Sequence, residues 1–270
     1  MDASERAGTA RHTGPRRREP RGRRPGARPV HTVYGVLLVA PFALLATLVL
    51  GGWPPLRRLD LAITTHLHGY ALDHPVWVRV MSLWTDAFAP MPLRAAALVL
   101  VVWLAHDGAR RLAVWAASTM LLGGLLGPLL KLLVGRHRPD LSDPVAQAPG
   151  LAFPSGHALN AVLAAGVLLV VFLPRTRPRS AARTAIWAGA LTIALVTGFS
   201  RVALGVHWSS DVLAGWLLGV AVLVATATAL TVRSAPGQVD PAASVRCSHR
   251  CRCPGCVRRR PAPPVGPRRR

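Results

Sequence analysis

Six long apolar segments divide this chain of 270 residues. They consist mainly of Ala, Val, Leu and Gly, and most reach the roughly 20 residues that a helix needs to cross a roughly 30 Å hydrocarbon layer. A soluble all-α bundle is the alternative, but its helices would carry a polar stripe, which these segments lack over most of their length. The sequence therefore predicts an all-α integral membrane bundle of six helices. The predicted spans are residues 33–53, about 89–105, 112–130, 157–173, 185–204 and 212–232.

Both ends of the chain differ from this apolar region. The formal net charge is +22, and nine arginines fall within residues 1–32 and ten within 233–270. These ends are also rich in Pro, Gly and Ala and have little to bury, so we expect disordered basic tails flanking a membrane domain at residues 33–232. Arginines beside a membrane favour contact with anionic lipid head groups. We therefore expect the lipid bilayer as their partner, and no nucleic acid.

The arginine distribution also predicts an orientation. The loops at residues 106–111 and 174–183 are basic, and loops with such a bias remain on the cytoplasmic side. With six spans, both termini share that side with these two loops. Residues 131–156 and 201–211 then lie on the extracytoplasmic side. We therefore predict a multi-pass protein of the cell membrane whose termini are cytoplasmic.

Two further regions carry polar or reactive side chains. Residues 56–88 mix apolar positions with Arg, His, Asp and Trp, a pattern typical of a helix lying in the membrane interface. All four cysteines lie in the C-terminal tail, and their spacing is not a common zinc pattern. They are either reduced free thiols or a metal site separate from the main activity. These cysteines are Cys247, Cys251, Cys253 and Cys256.

The first of three polar blocks, KLLVGRHRP, ends the third apolar segment. Lys131 and Arg138 are two helical turns apart, so they point the same way if this helix continues through Gly135. An Arg fork binds two phosphate oxygens while Lys adds a point charge. The alternative is that Lys131 and Arg136 only extend from a helix end to the membrane surface.

The second block, PSGH, opens directly onto an apolar helix. Ser155 is a predicted N-cap, so the free N–H groups of the first turn form an anion site. Gly156 allows close approach of the backbone to a phosphate. His157 stands beside that anion, where it can protonate a leaving alkoxide.

In the third block, SRVALGVHWSSD, His207 and Asp211 are four residues apart and share a face on a helical turn. Asp211 can accept the Nδ1 proton, which leaves Nε2 of His207 free to attack phosphorus. Arg201 adds a cation at the end of the fifth span. Metal-assisted hydrolysis needs several carboxylate or imidazole ligands. The three blocks supply no Glu and few Asp, so we expect no metal or other cofactor.

In order, K-x6-RP, PSGH and SR-x5-H-x3-D resemble the motifs of the type 2 phosphatidic acid phosphatase superfamily, which includes membrane lipid phosphatases and vanadium haloperoxidases. The six spans are similar to its bacterial membrane branch. The resemblance implies that His207 forms a phosphohistidine, that Asp211 orients it and that His157 is the acid. It also implies phosphate binding by Lys131, Arg138, Ser155, Gly156 and Arg201.

The expected activity is metal-independent hydrolysis of a lipid phosphate or diphosphate at the extracytoplasmic face. Undecaprenyl diphosphate, phosphatidate and phosphatidylglycerol phosphate all fit as substrates. One alternative is a lipid phosphotransferase, in which an acceptor other than water takes the phosphate. Another is a phospholipid-binding membrane protein without turnover.

Overall fold

The computed structural model describes the backbone of residues 28–232 and the side chains of residues 39–229. Within that range all regular structure is helical, as predicted. Most of both predicted tails, with the four cysteines, lies outside the described residues. The α-helices are Arg28–Leu50 (α1), Pro54–Asp73 (α2), Pro75–Ala87 (α3), Pro90–His106 (α4), Arg110–Val134 (α5), Gly156–Phe172 (α6), Ala181–Ala203 (α7) and Ser209–Val232 (α8), and a 3-10 turn at Leu173–Arg175 follows α6.

Proline and glycine set several of these helix ends. Pro54, Pro75 and Pro90 occupy the first position of α2, α3 and α4. Proline fits there because its missing N–H would have no helical partner. At the other end, α5 stops where Gly135 adopts a left-handed φ of 66°, a conformation that glycine reaches without strain.

Five helical stretches are long and apolar enough to cross a membrane, and the pair Val39–Leu50 and Pro54–Asp73, bent by 89°, makes a sixth if it is counted as one span. Large apolar side chains cover their outer surfaces: Leu132 is 76% exposed and Val99 is 70% exposed. Such surfaces suit hydrocarbon rather than water. The prediction of an all-α multi-pass membrane protein is confirmed. The five stretches are Pro75–His106, Arg110–Val134, Gly156–Arg175, Ala181–Ala203 and Ser209–Ala229.

The region between the first two predicted spans forms two helices, α2 and α3, rather than one. Helix α3 packs against α7. The indole N–H of Trp84 donates to the Thr197 hydroxyl over 3.1 Å, and the Trp77 ring meets Phe199 edge to face at 6.0 Å. These tryptophans therefore fasten α3 to the bundle.

Helix α6 is the centre of the bundle and packs against α4, α5, α7 and α8. The side chains of Phe153, Leu159 and Leu163 are fully buried around it. Its start lies very close to α8, because a Cβ on Gly215 would come within 2.6 Å of the Ser155 carbonyl oxygen. Glycine at this crossing allows the beginning of α6 to rest directly on the first turns of α8.

The three polar blocks meet at one end of the bundle. The backbone N–H of Ser155 donates to the Asp211 carbonyl over 2.9 Å, which joins the starts of α6 and α8. The guanidinium of Arg138 donates to the Val206 carbonyl over 2.6 Å, which joins the loop after α5 to the α7–α8 turn. Residues far apart in sequence are thereby gathered at a single site.

Candidate active site

His207 lies in the short turn before α8 and is 1% exposed. Its Nδ1 is 3.3 Å from Oδ2 of Asp211, in the first turn of that helix. The same carboxylate oxygen accepts the backbone N–H of Trp208 over 2.9 Å. The structure thus brings His207 and Asp211 together at the spacing that the sequence indicates. With Nδ1 facing a carboxylate, Nε2 is the nitrogen left for chemistry.

Arg138 faces that second nitrogen. Its Nη1 is 3.1 Å from Nε2 of His207. Its Nε donates to the Gly150 carbonyl over 2.9 Å, and Nη2 donates to the Pro149 carbonyl over 3.1 Å. A guanidinium so placed can stabilise negative charge at an atom bonded to Nε2.

Lys131 and Arg138 converge, although not in the way that the sequence argument supposed. The sequence predicted a shared direction only if the third helix continued through Gly135, and this condition is not met because α5 ends at Val134. Instead the chain turns back, and both cations reach the Leu151 carbonyl. Nζ of Lys131 donates to it over 2.5 Å and Nη2 of Arg138 over 3.4 Å.

The PSGH block forms the start of α6, with Ser155 as N-cap, Gly156 as first helical residue and His157 next. The predicted capping bond is absent, because the Ser155 hydroxyl contacts no backbone N–H. That hydroxyl is buried and has no hydrogen-bond partner among the residues whose side chains are described. It remains available, together with the first-turn N–H groups, to donate to an anion.

Arg201 and His157 are the remaining site residues that the sequence predicts. Nη1 of Arg201 donates to the Thr85 hydroxyl over 3.0 Å, while its buried Nε has no partner within the described region. The half-buried imidazole of His157 lies within electrostatic range of the other site groups. Those groups are Arg201, His207, Arg138 and Lys131.

This concentration of cations affects the titration of His207. Burial, followed by the positive charges of Arg138 and Arg201, lowers the pKa of His207 well below its ordinary value of 6.5. Burial also lowers the pKa of Arg138, a group that stays charged at neutral pH. At neutral pH His207 is therefore an uncharged imidazole facing a guanidinium.

Two residues outside the predicted set also belong to this site. Arg136 donates from Nη1 to Oδ1 of Asp211 over 2.7 Å and from Nη2 to Oδ2 of Asp60 over 2.8 Å. The sequence pattern indicated Arg136 only as a cation at a helix end. Asp60, which lies on α2, was not predicted as a site residue. It is 76 residues from Arg136, so no sequence spacing indicates their contact.

A cleft of about 280 Å³ opens beside these residues, between the α1–α2 turn and the loop after α5. Its α1–α2 side combines apolar side chains with Arg57 and Asp60, and the opposite side carries Arg136 and Arg138. The lining includes Leu48, Trp53, Leu56, Arg57, Arg136 and Arg138. Among the described residues, no three His, Cys, Asp or Glu side chains are grouped so that they could hold a metal ion.

The chain is similar in sequence and in fold to known proteins. The PAP2 superfamily profile matches residues 112–234. Phosphatidylglycerophosphatase B of Bacillus subtilis is 36% identical over 110 residues, which are 39% of this chain and 54% of that protein. An undecaprenyl-diphosphatase of Sulfolobus acidocaldarius is 30% identical over 115 residues, 41% of this chain and 51% of that protein. A lipid A 1-phosphatase of Rhizobium etli is 36% identical over 113 residues, 38% of this chain and 43% of that protein.

The chain therefore spans about half the length of the curated relatives that it matches. A solved structure is similar over more of the chain, the transmembrane PAP2-type phosphatidylglycerolphosphate phosphatase from Bacillus subtilis. The TM-score is 0.64 with 25% identity, covering 76% of this chain and 98% of that one. Residues 112–234 of this multi-pass membrane protein are therefore similar to the PAP2 superfamily, and its fold is similar to that of a transmembrane PAP2-type phosphatase.

Proposed function

We propose that this protein is a membrane phosphatase that hydrolyses a lipid phosphate or diphosphate through a phosphohistidine at His207. The observation that carries the proposal is the paired environment of this imidazole. Its Nδ1 faces the Asp211 carboxylate at 3.3 Å, and its Nε2 faces the Arg138 guanidinium at 3.1 Å. One side orients the nucleophile, and the other stabilises the charge of the phosphoryl group that it attacks.

In the first step, Lys131, Arg138 and Arg201 bind the phosphate oxygens, with the Ser155 hydroxyl and the N–H groups at Gly156. Nε2 of His207 forms a bond to phosphorus as the bond to the lipid oxygen breaks. His157 gives its proton to that oxygen, so the lipid leaves as an alcohol, or as a lipid monophosphate when the substrate is a diphosphate. Stabilising the equatorial oxygens and protonating the departing one are the two main demands of phosphoryl transfer.

In the second step, a water molecule attacks the phosphohistidine. His157, now unprotonated, takes the proton of the attacking water, and the bond between phosphorus and Nε2 breaks. Inorganic phosphate leaves and His207 returns to its neutral form. No metal ion is needed in either step, because cationic side chains already surround the phosphoryl oxygens.

We place this site on the extracytoplasmic face. All the proposed catalytic groups lie at one end of the bundle, whereas the basic turns before α5 and α7 lie at the other. Arginine-rich turns stay on the cytoplasmic side, and Arg110, Arg175 and Arg177 belong to them. Undecaprenyl diphosphate, phosphatidate and phosphatidylglycerol phosphate are the proposed substrates, and the relatives named above are phosphatases whose names include two of these lipid types.

The proposal predicts release of inorganic phosphate by detergent-purified protein in excess EDTA. We expect the rates with and without EDTA to agree within about twofold, because no step uses a metal. Phosphate release from each of the three lipids would be measured side by side, which also ranks them. Loss of activity in EDTA that added Mg²⁺ restores would contradict the metal-free mechanism. Lipid binding without phosphate release would favour the binding protein, and transfer to an added alcohol would favour the phosphotransferase.

A second prediction concerns pH. Neutral His207 is the nucleophile, and its pKa lies well below 6.5. As the pH falls from 7 toward 6.5 the imidazole therefore stays uncharged, and it gains a proton only at lower pH. We expect the acid limb of kcat/KM that belongs to the enzyme to lie below pH 6.5. The pH dependence of kcat/KM would be measured with a monophosphate and with a diphosphate lipid. The two substrates ionise at different pH, so an acid limb that both profiles share belongs to the enzyme. A shared limb above pH 6.5 would contradict the assignment.

A further inference from the structure

Asp60 on α2 is a buried carboxylate, 1% exposed, far in sequence from the three polar blocks. Its Oδ1 accepts the Ser209 hydroxyl over 2.6 Å and the backbone N–H of Ser210 over 2.9 Å. Its Oδ2 accepts the Ser210 hydroxyl over 2.6 Å and Nη2 of Arg136 over 2.8 Å. Because these donors belong to the first turn of α8, Asp60 fixes the start of the helix that carries Asp211.

Arg136 joins this carboxylate to the second one. Its Nη1 donates to Oδ1 of Asp211 over 2.7 Å and to the Ser210 hydroxyl over 2.7 Å. Oδ2 of the same Asp211 faces His207. One guanidinium therefore bridges two buried carboxylates, and each oxygen of Asp211 has a separate task. Oδ1 is held by Arg136, and Oδ2 orients the imidazole.

The hydrogen-bond partners of Arg136 are charged, whereas those of the proposed phosphate ligands are mainly neutral. Lys131 and Arg138 donate mainly to backbone carbonyls, which a phosphate oxygen can replace. Arg136 instead donates to two carboxylates, and its guanidinium carbon lies 5.5 Å from the centre of the Trp208 ring. Releasing it to a substrate would leave buried carboxylates without a counter-charge, which is strongly unfavourable.

We propose that Asp60 and Arg136 are positioning residues that lock Asp211, and through it His207, in the geometry for attack on phosphorus. Neither touches the phosphoryl group. The inference rests on the proposed function of His207 as nucleophile. It implies that the contribution of α2 to catalysis is orientation, while the affinity for the phosphate comes from Lys131, Arg138 and Arg201.

Kinetics of Arg136→Ala and Asp60→Asn test this role. Partners that orient a functional histidine typically contribute 10- to 100-fold, so we expect kcat to fall by about that much while KM changes by less than about threefold. Arg136→Lys, which bonds only one carboxylate at a time, should retain an intermediate rate. Arg58→Ala is the matched control and should leave kcat and KM unchanged, since Arg58 is an exposed arginine on the same helix as Asp60 and does not line the cleft. A change in KM without a change in kcat would overturn the proposal.

Chemical rescue separates orientation from a purely structural role. The cleft that Arg136 lines connects its position to solvent. Millimolar guanidinium should therefore reach the space left in Arg136→Ala and raise kcat by about tenfold or more. Asp211→Asn keeps Arg136 and should gain nothing from guanidinium. A protein that is slow only because it is misfolded would not recover, so absence of rescue in a folded Arg136→Ala variant would overturn the proposal.

A measurement without turnover separates this inference from the proposed function. Orthovanadate mimics the transition state of phosphoryl transfer and needs an oriented imidazole, whereas inorganic phosphate needs only the cations. In Asp60→Asn the affinity for orthovanadate, read by thermal shift, should fall about tenfold while that for phosphate stays unchanged. If the wild type hydrolyses none of the lipids but this difference appears, the proposed lipid substrates fail, while the orientation of His207 by Asp60 and Arg136 stands. Equal losses for both anions would overturn the inference.

Discussion

Replacing His207 with alanine should abolish phosphate release, with a loss of kcat of about 10⁴-fold or more. Removing a nucleophile eliminates the covalent route entirely, and what remains is the weak effect of binding and charge stabilisation. The variant should still bind lipid phosphate, because Lys131, Arg138 and Arg201 are unchanged. Phosphate release in EDTA measures the loss. Brief reaction with a ³²P-labelled lipid, followed by denaturation in alkali, should give an acid-labile label on the wild type alone.

His137→Ala is the matched control for that experiment. His137 lies in the loop after α5, and its side chain is exposed and makes no contact with His207 or Asp211. Its carbonyl accepts the Trp208 indole N–H over 3.1 Å. The control variant should keep nearly full activity and its label. The assignment of His207 as nucleophile would be contradicted if His207→Ala became labelled, or if it released phosphate at a rate comparable to the wild type.

Replacing His157 with asparagine should slow hydrolysis of lipid phosphates by about 10²- to 10⁴-fold, the usual contribution of a general acid. The size of the loss should depend on the leaving group. A lipid alkoxide needs a proton as it departs, whereas an aryl phosphate such as p-nitrophenyl phosphate releases a stable anion without one. With the aryl substrate the first step should therefore be nearly normal. The second step still lacks its base, so phosphohistidine should accumulate and appear as a burst of nitrophenol.

His106→Asn serves as the control here, because His106 ends α4 at the opposite end of the bundle. It should change neither substrate's rate. If His157→Asn slowed the lipid and aryl substrates to the same extent and gave no burst, His157 would be binding phosphate rather than moving a proton.

Much of this architecture is predictable from local sequence. The apolar segments indicate helices and spans because hydrocarbon requires both length and internal hydrogen bonding. The four-residue spacing predicted the contact of His207 with Asp211, although His207 lies in the turn before α8 and not on a helical turn as the sequence indicated. The sequence predicted six spans, and the bent pair of Val39–Leu50 and Pro54–Asp73 makes the number five or six.

Other features depend on how distant segments meet, which local patterns do not encode. The left-handed turn at Gly135 ends α5 early, so the convergence of Lys131 and Arg138 results from a loop returning to Leu151 rather than from helical periodicity. The Ser155 hydroxyl matches a capping residue in type, yet tertiary packing leaves it without that bond. In the sequence, Asp60 is typical of an aspartate in an interfacial helix. Its role follows only from the packing of α2, which brings it against the start of α8.

The carbonyls of residues 149–151 have a consequence for turnover. They accept hydrogen bonds from Lys131 and Arg138, the same donors that the proposed chemistry assigns to phosphate oxygens. An arriving phosphate must exchange with these carbonyls, and a departing one is replaced by them. Because the backbone competes for both cations, it weakens the hold on inorganic phosphate. Under the proposed mechanism the loop therefore favours product release and limits inhibition of this strongly basic site by inorganic phosphate.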